Sequence, residues 1–112
     1  MAWRPAPEPA DERLRQTALR DLGWFSPHDD GLSEAAPLGA LRALADAARR
    51  LCGCSVGWLS LVGAEHACQV GVDGDETMTR TLPRAEAICA HAVAADAFIE
   101  VPDIRLDPRF GE

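Results

Sequence analysis

Apolar residues recur at helical spacing in two stretches of the chain. Leu14, Ala18, Leu19 and Leu22 follow the period of a helix over Glu12 to Asp21, between Asp11, an N-cap candidate, and Gly23, a stop. From Leu38 a stronger stripe runs through Leu41, Leu44, Ala45, Ala48, Leu51 and Cys52, with Arg42, Asp46, Arg49 and Arg50 off it and Gly53 ending the run. Trp24 to Pro37, with Ser26-Pro27, Asp29-Asp30-Gly31 and a second proline, is the punctuation of a loop joining the two helices.

After Gly53 the pattern changes. Ser55 to Val62 is a short apolar run rich in Gly, Ser and β-formers, which predicts a core strand. Gly63-Ala64-Glu65 turns into a weaker strand over His66 to Val72, so an antiparallel hairpin is expected. Asp73 to Pro83 is polar, carries Gly and Pro, and reads as a loop. Ala85, Ile88, Cys89, Ala92 and Val93 place a packed helix over 84–95, and Phe98 to Val101 is expected as a strand bounded by Pro102-Asp103. Residues 104–110 read as irregular. The three prolines of residues 2–10 and their lack of apolar period predict an extended, mobile arm, which leaves one α+β domain over 11–112.

Composition narrows the function classes. A chain of 112 residues holds at most one domain, and 47% hydrophobic with 26% charged residues is the make-up of a soluble globular protein. No apolar run reaches the ~20 residues that cross a bilayer, and Met1-Ala2-Trp3-Arg4-Pro5 lacks a signal-peptide core, so a cytoplasmic protein without a membrane partner is expected. A formal charge of −7 repels phosphate backbones and argues against nucleic acid as a direct partner. Cys52, Cys54, Cys68 and Cys89 match no zinc spacing and are expected as buried or half-buried thiols.

The residues that carry chemistry each have a structural and a functional reading. Cys89 and His91 stand two apart, about 200° around a helix, which is unsuited to a nucleophile and base pair. Cys89 reads first as a packed thiol and second as a pocket or redox thiol. His91 can bond a ligand or a loop carbonyl, while His28 and His66 read as solvated. Asp103 suits an Asx turn or a ligand contact, Arg109 a surface ion pair or an anion site, and Trp58 core filling or a stacking platform. Gly71-Val72-Asp73-Gly74 lacks a phosphate-cradling pattern, no His/Asp/Glu cluster has metal spacing, and no pattern names a cofactor.

Ile88-Cys89-Ala90-His91-Ala92-Val93, then Val101-Pro102-Asp103 and Asp107-Pro108-Arg109-Phe110, resemble the GAF family in wording as well as in element order. The first phrase is similar to the "CAHA" helix of one large bacterial subgroup, and the others to its strand exit and loop. Leu38 to Gly53 looks like the family's long packing helix, Val56 to Val62 like its first core strand, and Leu14 to Pro27 like its lead-in helix and turn. The resemblance covers about residues 11–112.

It implies a GAF-like antiparallel sheet flanked by helices, and a bacterial sensory domain that binds a small molecule of unknown identity and is not an enzyme by itself. Such domains commonly feed a histidine kinase or a diguanylate cyclase. The pocket is then expected beneath a helix presenting Ile88, Cys89 and Val93, with Trp58, Cys89, His91, Asp103 and Arg109 as its candidate residues, and a homodimer is expected through the N-terminal helices. Against the family pattern, the strand at His66 to Gly71 is expected to be short and lacks a bulky aromatic, and the final strands and closing helix are expected to be missing. Ala90 intervenes where bilin-binding relatives place His directly after the attachment Cys, and the NKxxDE-type signature of the cyclic-nucleotide subgroup is absent. The alternatives are an enzyme resembling free methionine-sulfoxide reductases, with Cys89 in a comparable helix, and a plain dimerisation module.

Overall fold

The computed structural model describes residues 4–26 and 31–110. In chain order these form α1 (Glu12–Leu22), α2 (Leu38–Cys52), β1 (Val56–Val62), β2 (His66–Asp73), β3 (Glu76–Pro83), a 3-10 turn (Arg84–Glu86) and α3 (Ile88–Ala95). The class is α+β, as the patterning indicates. Three antiparallel strands form a meander in the order β1-β2-β3, flanked by helices. Among the described residues no helix is long and apolar enough to cross a membrane.

Both N-terminal helices stop at the glycines that mark their ends, because Gly23 (φ 71°) and Gly53 (φ 66°) turn left-handed without a Cβ penalty. Asp11 starts α1 differently from expectation. Its carbonyl accepts the Arg15 N–H at 3.0 Å, but its side chain makes no capping bond. The loop between α1 and α2 is closed by the Phe25–Leu32 bridge and by Ser33 Oγ donating to the Gly23 carbonyl at 2.6 Å. His28 and the Pro27 to Asp30 part of that loop lie outside the described residues.

Four expectations are corrected. The polar stretch 73–83 is not a loop but a tight turn and strand β3, paired with β2 from Asp73↔Glu76 to His66↔Pro83. Gly74, at φ 60°, is the first of the two residues of that turn, where a two-residue hairpin needs positive φ. The strand reads as polar because Thr77, Thr79, Arg80 and Thr81 are all exposed, with Met78 and Leu82 half-buried among them. Strand β2 is not short, since eight residues pair with β1, β3 or both. Phe98 to Val101 has no regular secondary structure and is not a strand, because among the described residues nothing pairs with it, and Phe98 is left 89% exposed. The helix expected over 84–95 begins only at Ile88, since Ala87 is extended (φ −96°, ψ 120°) and separates it from the 3-10 turn.

The sheet has a helix over each face. Gly57, Leu59 and Leu61 of β1 alternate to one side with their partners Val72, Val70 and Cys68, and this side meets α2. The approach is close: a Cβ on Gly57 would collide with the Ala45 carbonyl oxygen. That contact line selects Leu41 and Ala45 as the buried residues of α2 and leaves Leu44 and Leu51 exposed, so the sequence stripe is wider than the face in contact. On the opposite side, Val62 and Ala67 pack with Ala87 and Ala90 of the α3 region, and Leu82, Cys89 and Val93 close the cluster at its edges.

Helix α1 is attached by charge rather than by apolar burial. Arg84 donates to the Glu12 carboxylate at 2.5 Å and to the Gly63 carbonyl at 3.0 Å, and Arg15 bridges the same carboxylate to the Val62 carbonyl. The side chains are only 11–20% exposed. The Arg84 hydrogen bond, aided by Gln16 and Arg15 and opposed by partial burial, lowers the Glu12 pKa from 4.5 to about 2. In the described part of the proline-rich arm, expected to be mobile, the Arg4 N–H donates to the Arg109 carbonyl at 2.9 Å and Ala6 touches the Val62 cluster.

Two outcomes follow. Gly57→Val, which forces α2 away from the sheet, should cost about 1–3 kcal/mol, whereas Gly39→Ala, with nothing near its Cβ, should leave the thermal midpoint unchanged or raised. Glu12→Gln should cost about 1–3 kcal/mol at neutral pH. Because the folded pKa lies below the unfolded one, the Glu12 contribution is complete above about pH 4.5 and disappears as pH falls towards 2. Denaturant midpoints of wild type and Glu12→Gln should therefore converge over that window, and a gap that persists to pH 2 would contradict the assignment.

Candidate functional site

The second face of the sheet presents three cross-strand rows. Val62, Ala67 and Leu82 form an apolar row beneath α3; Ser60, Gln69 and Arg80 form a polar row; Trp58, Gly71 and Met78 form the third. Gly71 is needed for the third row, since any Cβ there would strike the Trp58 ring. The indole therefore lies flat against the β2 backbone and remains half-buried at the side of the polar row.

Above these rows a cavity of about 1060 Å³ opens between the sheet and the α3 region. Its floor is Trp58, Ser60, Gln69, Arg80 and Leu82. Its other wall is Ala85 and Glu86 of the 3-10 turn, Ile88, Cys89 and Ala92 of α3, and Ile99 from the irregular segment that follows. The volume is at the upper end of what small-molecule sites use.

One chain of contacts crosses the floor. Arg80 Nε donates to Gln69 Oε1 at 2.7 Å, Gln69 Nε2 lies 3.9 Å from Cys89 Sγ, and the Arg80 guanidinium stands 4.7 Å from the centre of the Trp58 ring. Gln69 is 8% exposed, a buried amide whose oxygen is satisfied by a cation and whose nitrogen meets only a weak sulfur acceptor.

Of the five residues the sequence nominates, Trp58 and Cys89 come together at this cavity and three lie elsewhere. His91 Nε2 is 2.8 Å from the Arg4 carbonyl, with its ring edge-on to Phe110 at 5.0 Å. Asp103 accepts the Arg105 N–H and guanidinium in an Asx turn, and Asp107 repeats that arrangement with Arg109. The Arg109 side-chain hydrogen bond is the largest cause holding the Asp107 pKa at about 2. His91, Asp103 and Arg109 thus secure the arm and the tail. Of the residues expected at the inner face of the roof, Ile88 and Cys89 border the cavity and Val93 packs on the Val62 cluster, while the residue fully buried is Ala90.

The thiols also divide. Cys68 is buried and Cys89 half-buried, but Cys52 and Cys54 are exposed where α2 ends, a correction to the expectation of four covered thiols. His66 is half-buried at the start of β2 rather than solvated. Among the described residues no group of three or more His, Cys, Asp or Glu is placed to hold a metal ion.

Gln69 and Arg80 are functional candidates that sequence reading misses. The signal for them is the alternation Met78, Arg80, Leu82 against Thr77, Thr79, Thr81, a period of two that puts Arg80, although solvent-exposed, on the cavity face of the strand. The chain matches no known protein family, no curated protein and no solved structure.

Thiol labelling tests the geometry. In the folded protein Cys52 and Cys54 should react first, Cys89 more slowly, and Cys68 only on opening of the sheet. Labelling of Cys68 as fast as Cys52 would rule out α2 as the cover of that face.

Proposed function

We propose that this chain is a GAF-like small-molecule-sensing domain of a bacterial cytoplasmic signal-transduction protein, an input module for a histidine kinase or a diguanylate cyclase rather than an enzyme by itself. The observation that supports it most is the cavity over Trp58, Gln69, Arg80 and Cys89, which combines apolar walls with a few fixed polar groups, as ligand sites do. Its lining includes one thiol, and the nearest histidine in sequence, His91, is engaged elsewhere. That set is suited to binding more than to covalent turnover.

A metabolite collection screened by thermal shift, with hits mapped by NMR, tests the reading. Hits should perturb Trp58, Gln69 and Ile88, and Gln69→Leu should weaken them at least tenfold. His91→Ala should lower stability by about 1 kcal/mol and leave those affinities unchanged, because its contacts are to Arg4 and Phe110. Turnover of free methionine sulfoxide with a thioredoxin system, abolished by Cys89→Ser, would replace the sensing reading with the reductase one.

Self-association is the second reading, favoured by large apolar side chains that the fold leaves in solvent on the N-terminal helices. Leu44 and Leu51 share one face of α2, and Leu14 and Leu22 share one face of α1. A homodimer joined through these faces should dissociate on Leu51→Glu, read as halved mass in light scattering without loss of helical signal. A monomer at all concentrations would dismiss it.

A further inference from the structure

Arg80 differs from the other fixed arginines. Arg15, Arg49, Arg84 and Arg109 each face a carboxylate, whereas Arg80 is held by the Gln69 amide and the Trp58 ring and has no ion-pair partner among the described residues. Its Nε is committed to Gln69, which leaves both terminal amino groups, the planar fork that matches a carboxylate, unengaged among the described residues, on a solvent-exposed residue that lines the cavity. Around this fork the surfaces are an indole and the apolar groups Leu82, Ile88, Ala92 and Ile99.

We infer that the cavity takes a monoanionic organic acid with an apolar, planar body. The carboxylate forks onto the terminal amino groups of Arg80, and the body lies between Trp58 on the floor and Ile88 and Ile99 on the opposite wall. Trp58 and Gln69 hold the guanidinium in place before the ligand arrives, so little rotamer freedom is lost on binding. Glu86 faces the same cavity, and its charge opposes a second anionic group on the ligand. Together these groups select one negative charge, not two. The inference rests on the sensing reading above and assigns its ligand class.

The test titrates the 112-residue protein with sodium benzoate and follows the Trp58 indole and Gln69 side-chain amide by NMR. Phthalate, inorganic phosphate, benzyl alcohol and benzamidine are run alongside. Benzoate should saturate with shifts confined to the cavity, and phthalate and phosphate should bind at least tenfold more weakly. Arg80→Gln should weaken benzoate at least tenfold. Arg80→Lys, which keeps the charge without the fork, should weaken it several-fold and carries the test if the glutamine variant does not fold. Benzyl alcohol or benzamidine binding in the cavity as tightly as benzoate, or Arg80 variants without effect, would overturn the acid class and leave the sensing reading standing. If none of the five probes moves a cavity residue, the acid class fails, and the metabolite screen above decides the sensing reading separately.

Discussion

Strand β2 has a hydrogen-bonded neighbour on each edge and a helix over each face, so its residues Ala67 to Val72 are all removed from solvent. A strand in that position admits no slip, because a shift of one residue would exchange its two faces. One face has to supply Val70 and Cys68 for α2, and the other has to supply Ala67 for α3 and a flat backbone at Gly71 for the Trp58 ring. Alternation along β2 therefore decides at once where α2 packs, where α3 packs and which side chains floor the cavity. The Glu12–Arg84 cluster then fastens α1 to the same strand pair through the carbonyls of Val62 and Gly63.

What the sequence discloses follows from how each element is stabilised. Helices α1 and α2 and the β1-β2 hairpin carry strong local signals: apolar period, glycine stops, a β-forming run and a short turn. Strand β3 is hidden because its stability is non-local. It is an outer strand whose exposed threonines and single arginine resemble a loop until the Gly74-Asp75 turn sets its register against β2. The reverse error at Phe98 to Val101 has the same origin, since β-forming residues make a strand only where a partner edge is available. Among the site residues Trp58 and Cys89 are legible as conspicuous side chains in predicted elements. Gln69 and Arg80 acquire meaning only when the third strand exists.

The cavity arises from unequal side-chain sizes along one roof. Ala87 and Ala90 allow the start of α3 to approach Val62 and Ala67 closely, and all four residues are buried. On the neighbouring flank Ile88 and Ala92 stand over the row Ser60, Gln69, Arg80, and the layers do not close. Small residues bind the helix at one side, and the larger polar side chains of the sheet hold it away at the other.

That polar row is a poor solution to the problem of stability alone. A buried Gln69 requires partners for its amide, and it finds a cation for the oxygen and only sulfur for the nitrogen, where an apolar side chain of similar volume would need neither. Arg80 in turn sets a charge beside an indole with no counter-ion among the described residues. Stability is carried by Val70, Cys68 and Ala45 on the other face, by Val62, Ala67, Ala87 and Ala90 beside the polar row, and by the Glu12 cluster at the end of the sheet. Arg42 Nε on α2 is also buried without a partner among the described residues, but the Gln69–Arg80 pair differs from it in lining an open cavity, which is the placement expected of polar groups held for a ligand rather than for the fold alone.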